Sequence, residues 1–206
     1  VVENSLVFVK PWQGDVFCVD VSNPSSPFVR SRAPSGIRWG VMGLSGHNLY
    51  MGDKAGSEAE YMDVSNPDSI RMIRLHSLPG IIEAICASDS LLLLSYMSQL
   101  MIYSTTSPEL PVLLSSTAIP DVSIASICLR GDTAFVGTVY GKIVSVDISD
   151  RRYPVIRGVY SPPAQPTSSA GYLAVGDSVL YCSYFHSMTV FSVADPTSIS
   201  VLSSFP

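Results

Sequence analysis

Apolar residues in this chain come in runs of four to six, and each run is closed by a cluster of Gly, Asp, Asn, Pro or Ser. Runs of that length with such punctuation predict short β-strands. No window keeps apolar residues at i, i+3, i+4 and i+7 without a Pro or Gly cutting it, so no helix competes. From Ser123 to Tyr160 the pattern reads as four strands, SIASICL, TAFVGT, KIVSVDI and VIRGVY, separated by RGD, VYG and SDRRYP.

The pattern recurs. VDVSNPSSPFV at Val19 returns as MDVSNPDSIRMI, YSTTSPELPVLL, VDISDRRYPVI and FSVADPTSISVL, and anchoring these on Pro27, Ile70, Pro111, Pro154 and Ile199 spaces them 41 to 45 residues apart. A second landmark keeps step: SGHNLYMG, ASDSLLLLS, RGDTAFVG and VGDSVLYCS begin at Ser45, Ala87, Arg130 and Val175, with VENSLVFV at Val2 as a truncated first copy. Four strands per repeat at a period of about 43 residues predict an all-β fold, a β-propeller of five four-stranded blades. Residues 1–206 then form one propeller domain with repeats of approximately 1–36, 37–79, 80–120, 121–163 and 164–206. Five blades close alone or are a fragment of a propeller with six or seven. A β-sandwich has no reason to repeat one turn five times. Val1 stands where a second strand should begin, so one blade is expected to lack its first strand and to go without it, or to complete it from outside the chain or from a neighbour.

The repeated motif reads as turn chemistry. Asp20, Asp63 and Asp147 end a strand and can accept backbone N–H bonds from the following turn, where Pro24, Pro67, Pro108 and Pro196 fix φ and stop the ladder. Ser104 and Ser192 replace the Asp in the other two copies, with a weaker version of the same bond.

Composition narrows the function classes. Charged residues make up 14% of the chain, against about 25% in typical globular proteins. Lys and Arg are absent from Leu75 to Leu129 and from Gly158 to Pro206, so the surface is built largely from Ser, Thr, Tyr and small residues. A net charge of −5 and a pI near 5.0 offer no basic stripe for phosphates, which argues against nucleic acid. The one adjacent basic pair, Arg151-Arg152, reads as an ordinary turn. The uncharged stretch from Ser90 to Pro108 is broken by Ser, Gln and Thr and is too polar to span a membrane. Val1 opens no signal peptide and no initiator Met precedes it, so the chain is expected to be processed or cut from something longer. Cys18, Cys86, Cys128 and Cys182 show no metal-ligand spacing and read as buried strand residues. Cys86 and Cys128 fall at matching points of neighbouring repeats, which leaves a bridge between them open. No N-glycan acceptor occurs, and no cofactor or metal is expected.

These residues resemble the LVIVD repeat, whose units carry a Gly-Asp-x-Leu-Tyr-Val strand followed by a Leu-x-Val-Val-Asp-Val-Ser-Asp-Pro strand and turn. SGHNLYMGD with EYMDVSNPDSI, and RGDTAFVGTVYGKIVSVDISDRRYP, are the best copies, and the resemblance extends over essentially the whole chain. It implies a propeller of the kind found in exported or surface proteins, extracellular or cell-surface in location, and brings no catalytic residues with it.

The remaining question is where chemistry sits. No Gly-x-Ser-x-Gly elbow, phosphate loop or calcium loop is present, and no catalytic constellation is expected. His47 reads as a turn residue in place of the usual Asp, and His76 is a third, isolated histidine. Propellers bind through the loops at one end, which here supply Trp12 and Gln13, Lys54 and Glu58, Tyr96 and Gln99, Tyr140, and His186 beside Tyr184 and Phe185. The expected function is a non-enzymatic structural or interaction protein that self-associates, joining through an incomplete blade, or binds another surface protein or a glycan. The alternative is a hydrolase- or lyase-type enzyme with an axial pocket and His186 as base.

Overall fold

The computed structural model describes residues 1–54, 56, 59–75, 81–120, 123–162, 170–184 and 187–206. Among the described residues twenty strands form five four-stranded antiparallel sheets, each a meander in chain order, and no helix occurs. The first sheet holds β1 (Val2–Glu3), β2 (Leu6–Val9), β3 (Val16–Asp20) and β4 (Phe28–Ala33); the second β5 (Gly40–Ser45), β6 (Asn48–Asp53), β7 (Ala59–Asp63) and β8 (Arg71–Leu75). The third holds β9 (Ile85–Ser88), β10 (Leu91–Tyr96), β11 (Gln99–Ser104) and β12 (Val112–Ala118). The fourth is β13 (Ile124–Arg130), β14 (Thr133–Thr138), β15 (Ile143–Asp147) and β16 (Val155–Tyr160), and the fifth β17 (Tyr172–Val175), β18 (Val179–Tyr184), β19 (Ser187–Ser192) and β20 (Ser200–Phe205). The expectation that the first unit lacks its first strand is corrected here. Val2 and Glu3 pair with Val7 and Leu6, forming a strand too short to register as an apolar run.

Two compact units divide the chain, residues 1–92 with 103–112, and residues 93–102 with 113–206. In the first, Phe8, Val16, Cys18, Leu49, Met51 and Met62 are buried together with Ile37, so the first two sheets share one apolar core. In the second, Phe135 and Ile143 pack with Leu180, Cys182 and Phe191, joining the fourth and fifth sheets. Covering both faces of a sheet explains why inner strands read as continuous apolar runs: Leu92, Leu93 and Leu94 are all buried. The fourth strands lie outside this cover, and Phe28, Val112, Val155 and Leu202 on them are exposed.

The turn motif repeats atom for atom. Asp20, Asp63 and Asp147 each accept the backbone N–H of the residue two further on, Ser22, Ser65 and Ser149, at 2.8, 3.0 and 2.9 Å. Ser104 makes the same contact with Thr106 at 3.5 Å, a much weaker bond, because a hydroxyl carries less negative charge and reaches less far than a carboxylate. Three residues further on, Asn23, Asn66, Asp150 and Asp195 likewise accept the backbone N–H of Ser25, Asp68, Arg152 and Thr197 in four of the sheets. The turn then closes through N–H···O bonds from Ser26, Ser69, Leu110, Tyr153 and Ser198 back to the residue three before each. Pro24, Pro67, Pro108 and Pro196 occupy the second turn position, where the fixed φ suits the turn and no N–H is required. Arg151 takes that place in the fourth sheet and binds Asp132 at 2.7 Å.

Glycine enters where one connection presses on a strand. A Cβ on Gly137 would stand 2.5 Å from Ser126 Oγ and 2.9 Å from Ala170, and a Cβ on Gly52 would stand 2.7 Å from Ile82. Ile82 N donates to Asp53 O and Ala170 N to Thr138 O, both at 3.0 Å, so in both units the incoming connection lies flat on the second strand beside its glycine.

Candidate binding site

The second-to-third-strand hairpins and the connections between sheets carry the residues expected to bind. In the first unit these are the loop from Lys10 to Asp15, the connection from Pro34 to Trp39, and the hairpin beginning at Lys54. Gly14, at φ 109°, supplies a conformation in the first loop that other residues avoid. The connection is held at three points. Ile37 is buried in the core beneath it. Glu60, wholly buried on β7, accepts Ser35 Oγ–H and Gly36 N–H, both at 2.7 Å. Lys54 N then donates to Trp39 O at 2.7 Å. These anchors bring Trp39 against Trp12, with ring centroids 5.5 Å apart and planes 12° from parallel. Both indoles face solvent, Trp12 at 68% and Trp39 at 51% exposure.

Charged groups of both signs surround this loop end. Asp53 is buried near the base of the hairpin. Burial pushes the Lys10 ammonium down, and the charges of Glu60 and Asp53 act in the opposite direction. Lys54 Nζ lies 3.8 Å from Glu83, and Arg32 Nε lies 3.7 Å from Asp15. Glu60 is thus committed to holding the connection, and the exposed chemistry is aromatic face with a mixed polar rim.

Of the residues expected to bind, Trp12, Gln13 and Lys54 gather here, Lys54 through its bond to Trp39. Tyr96 and Gln99 flank one hairpin of the second unit, and Tyr140 caps the next, whose Gly141 O accepts the Tyr184 hydroxyl at 3.1 Å. Burial drives the Tyr184 phenol far above its usual range, with Cys182 beside it acting in the same direction, so Tyr184 serves as a neutral donor. Glu58, His76 and His186 lie outside the described residues. His47 sits in the β5–β6 turn, where its carbonyl accepts Val64 N–H at 2.9 Å. Cys18 and Cys182 are buried thiols within their sheets. Among the described residues no cluster of His, Cys, Asp and Glu is placed to hold a metal, and no helix is long and apolar enough to cross a membrane.

Sequence reasoning missed Trp39, Lys10 and Glu60. One signal was available for Trp39: both tryptophans of the chain fall in loops of adjacent repeats. Glu60 is an acid between Ala59 and Tyr61 in the middle of the second sheet, which marks a buried charge with a structural partner.

The LVIVD-repeat family model matches residues 2–32 and 123–161, the first and fourth sheets. No curated protein matches the chain. Among solved structures, a protein from Lactobacillus plantarum superposes with a TM-score of 0.79 at 11% identity, over 100% of this chain and 69% of its own. The computationally designed protein Ika8 gives 0.70 at 11% identity, over 99% of this chain and 59% of its own. Sqt1 of Saccharomyces cerevisiae gives 0.67 at 7% identity, over 98% and 58%. The chain therefore spans less than two thirds of the length of the last two. At these identities the likeness concerns fold alone: five four-stranded antiparallel sheets of β-propeller type.

Proposed function

We propose that this chain of LVIVD repeats, a β-propeller, is a non-enzymatic binding protein of the cell surface or extracellular space that takes a protein or glycan partner at the loop end of its first unit. The observation that carries this reading is the stacked, solvent-facing pair Trp12–Trp39, with the connection that carries Trp39 held by Glu60 and Lys54. Indole is costly to leave in water, and a fold that buries Phe8 and Tyr50 but presents both tryptophans offers a contact surface. The sparse charge and hydroxyl-rich composition support an extracellular setting.

The test presents the immobilised chain to arrays of glycans and of surface-protein fragments. Binding is expected to be lost in Trp12→Ala, kept in Phe28→Ala on the outer strand β4, and to leave the partner's mass unchanged. A partner recovered chemically altered, or binding insensitive to Trp12→Ala, contradicts the proposal.

A further inference from the structure

We infer that the Trp12–Trp39 pair is a stacking platform for a neutral pyranose chain, of the flat β-1,4-linked class. The inference rests on the reading of this loop end as a binding face, and narrows it to one ligand chemistry.

The geometry of the rings does the narrowing. With centroids 5.5 Å apart and planes only 12° from parallel, the indoles are packed on one another, so no slot remains between them for a proline ring. Nearly parallel planes also cannot enclose a quaternary ammonium, which is recognised by rings set around it as a cage. The two free faces of such a stack point opposite ways, so a sugar lies flat on one indole while the other backs it and holds it in place. The matching surface is the face of an all-equatorial pyranose, whose axial C–H groups point together at the ring and make weak C–H···π contacts.

The rim agrees with a neutral, hydroxylated ligand. Arg32 and Asp15 stand 3.7 Å apart, and Lys54 3.8 Å from Glu83, both beyond hydrogen-bond distance. The two pairs balance in charge, so Arg32, Asp15 and Lys54 offer donors and acceptors to hydroxyl groups on a rim with no excess of either sign. A nucleobase would also stack on indole, but single-stranded nucleic acid needs a positively charged track for its backbone, and this chain carries −5. Anchoring of the connection through Glu60 and Ile37 sets the platform before the ligand arrives, which lowers the ordering cost of binding.

The experiment titrates the full chain with cellohexaose and with chitohexaose, following tryptophan emission. Because the chain's two tryptophans both lie at this site, any change reports on it alone. A saturable change with at least one of these saccharides is expected. Calorimetry should show Trp12→Ala and Trp39→Ala weakened about tenfold or more, as for a central aromatic contact, Trp39→Phe weakened less, and Phe28→Ala unchanged. No saturable response to either saccharide, or affinity unaffected by Trp12→Ala, overturns the inference. A response instead to a proline-rich peptide, to oligothymidylate or to anionic lipid vesicles also overturns it while leaving the loop end standing as a binding face. Failure of all probes, together with array binding indifferent to Trp12, removes both.

Discussion

Ser31 on β4 donates its hydroxyl hydrogen to the carbonyl of Pro67, 2.6 Å away in the turn of the next sheet. The same latch recurs in the second unit, where Ser115 Oγ on β12 reaches Arg151 O, also at 2.6 Å. In the fourth sheet the equivalent strand position is Gly158, and a hydroxyl from the neighbouring strand substitutes: Ser145 Oγ donates to Pro196 O at 2.5 Å. A Cβ on Gly158 would stand 2.5 Å from that carbonyl, so the missing side chain is what admits the turn. The repeated turn therefore stops a strand and also offers a carbonyl to its neighbour.

Removing one latch should have a modest, measurable cost. Ser31→Ala leaves the Pro67 carbonyl without this donor in a partly buried position, and a net loss of about 1 kcal/mol in urea unfolding is expected. An unchanged urea midpoint would mean that water replaces the hydroxyl fully.

Glu60 is a different case, because it is wholly buried and holds two donors. Glu60→Ala should destabilise by about 1–3 kcal/mol, since it empties a buried position and leaves two partly buried donors without their acceptor. Glu60→Gln keeps an amide oxygen for Gly36 N–H and should cost less. Both changes loosen the connection that carries Trp39, so tryptophan emission at low denaturant should move with them. Stability lost without any change in emission would separate Glu60 from the platform.

Gly137→Ala should destabilise by roughly 1–3 kcal/mol, the usual cost of overpacking, since the new methyl meets Ser126 Oγ and the backbone of Ala170. Chemical denaturation of Gly137→Ala beside wild type reads the effect. Equal midpoints would show that the Ala170 connection yields without cost.

Stability should fall on acidification. Asp147 is held far below the usual carboxylate range by the Ser149 N–H first and by Arg157 next. Asp20 and Asp63 are lowered by their serines two residues on, hydroxyl first and backbone N–H second, and Asp195 likewise by Thr197. A carboxyl lowered on folding contributes stability that is fully present above the unfolded pKa of about 3.9 and is lost as pH drops through the folded value. The urea midpoint should thus be insensitive to these groups at neutral pH and decline below about pH 4. Asp147→Asn, which keeps an acceptor for Ser149, should show a shallower decline. Identical acid profiles for the two proteins would assign the loss to other carboxyls.

Much of this architecture was legible in the sequence because it is local. Nearly every strand is an apolar run, three of the five turns are an Asp or Asn followed by Pro, and both lie within a few residues of the signal that specifies them. TAFVGT and VIRGVY became β14 and β16 with their full predicted length. Val2–Glu3 escaped because two residues carry no pattern; the strand exists through its pairing with Val7 and Leu6. The binding end was only half legible for a related reason. Trp12 and Lys54 stand in loops, where exposure is the default, but the stack with Trp39 depends on which loops the packed sheets bring together. Glu60 was hidden between Ala59 and Tyr61, and its role depends on Ser35 and Gly36 arriving from the preceding connection.

The claim on which the account turns is that Trp12 and Trp39 form one preset, solvent-facing stack. Circular dichroism of the unliganded chain tests it directly, because two indoles in fixed contact couple their transitions into a paired positive and negative band. The account predicts that couplet together with emission typical of exposed tryptophan, and predicts that Trp12→Ala and Trp39→Ala each abolish the couplet completely. Absence of the couplet, or its survival in either variant, would contradict the account.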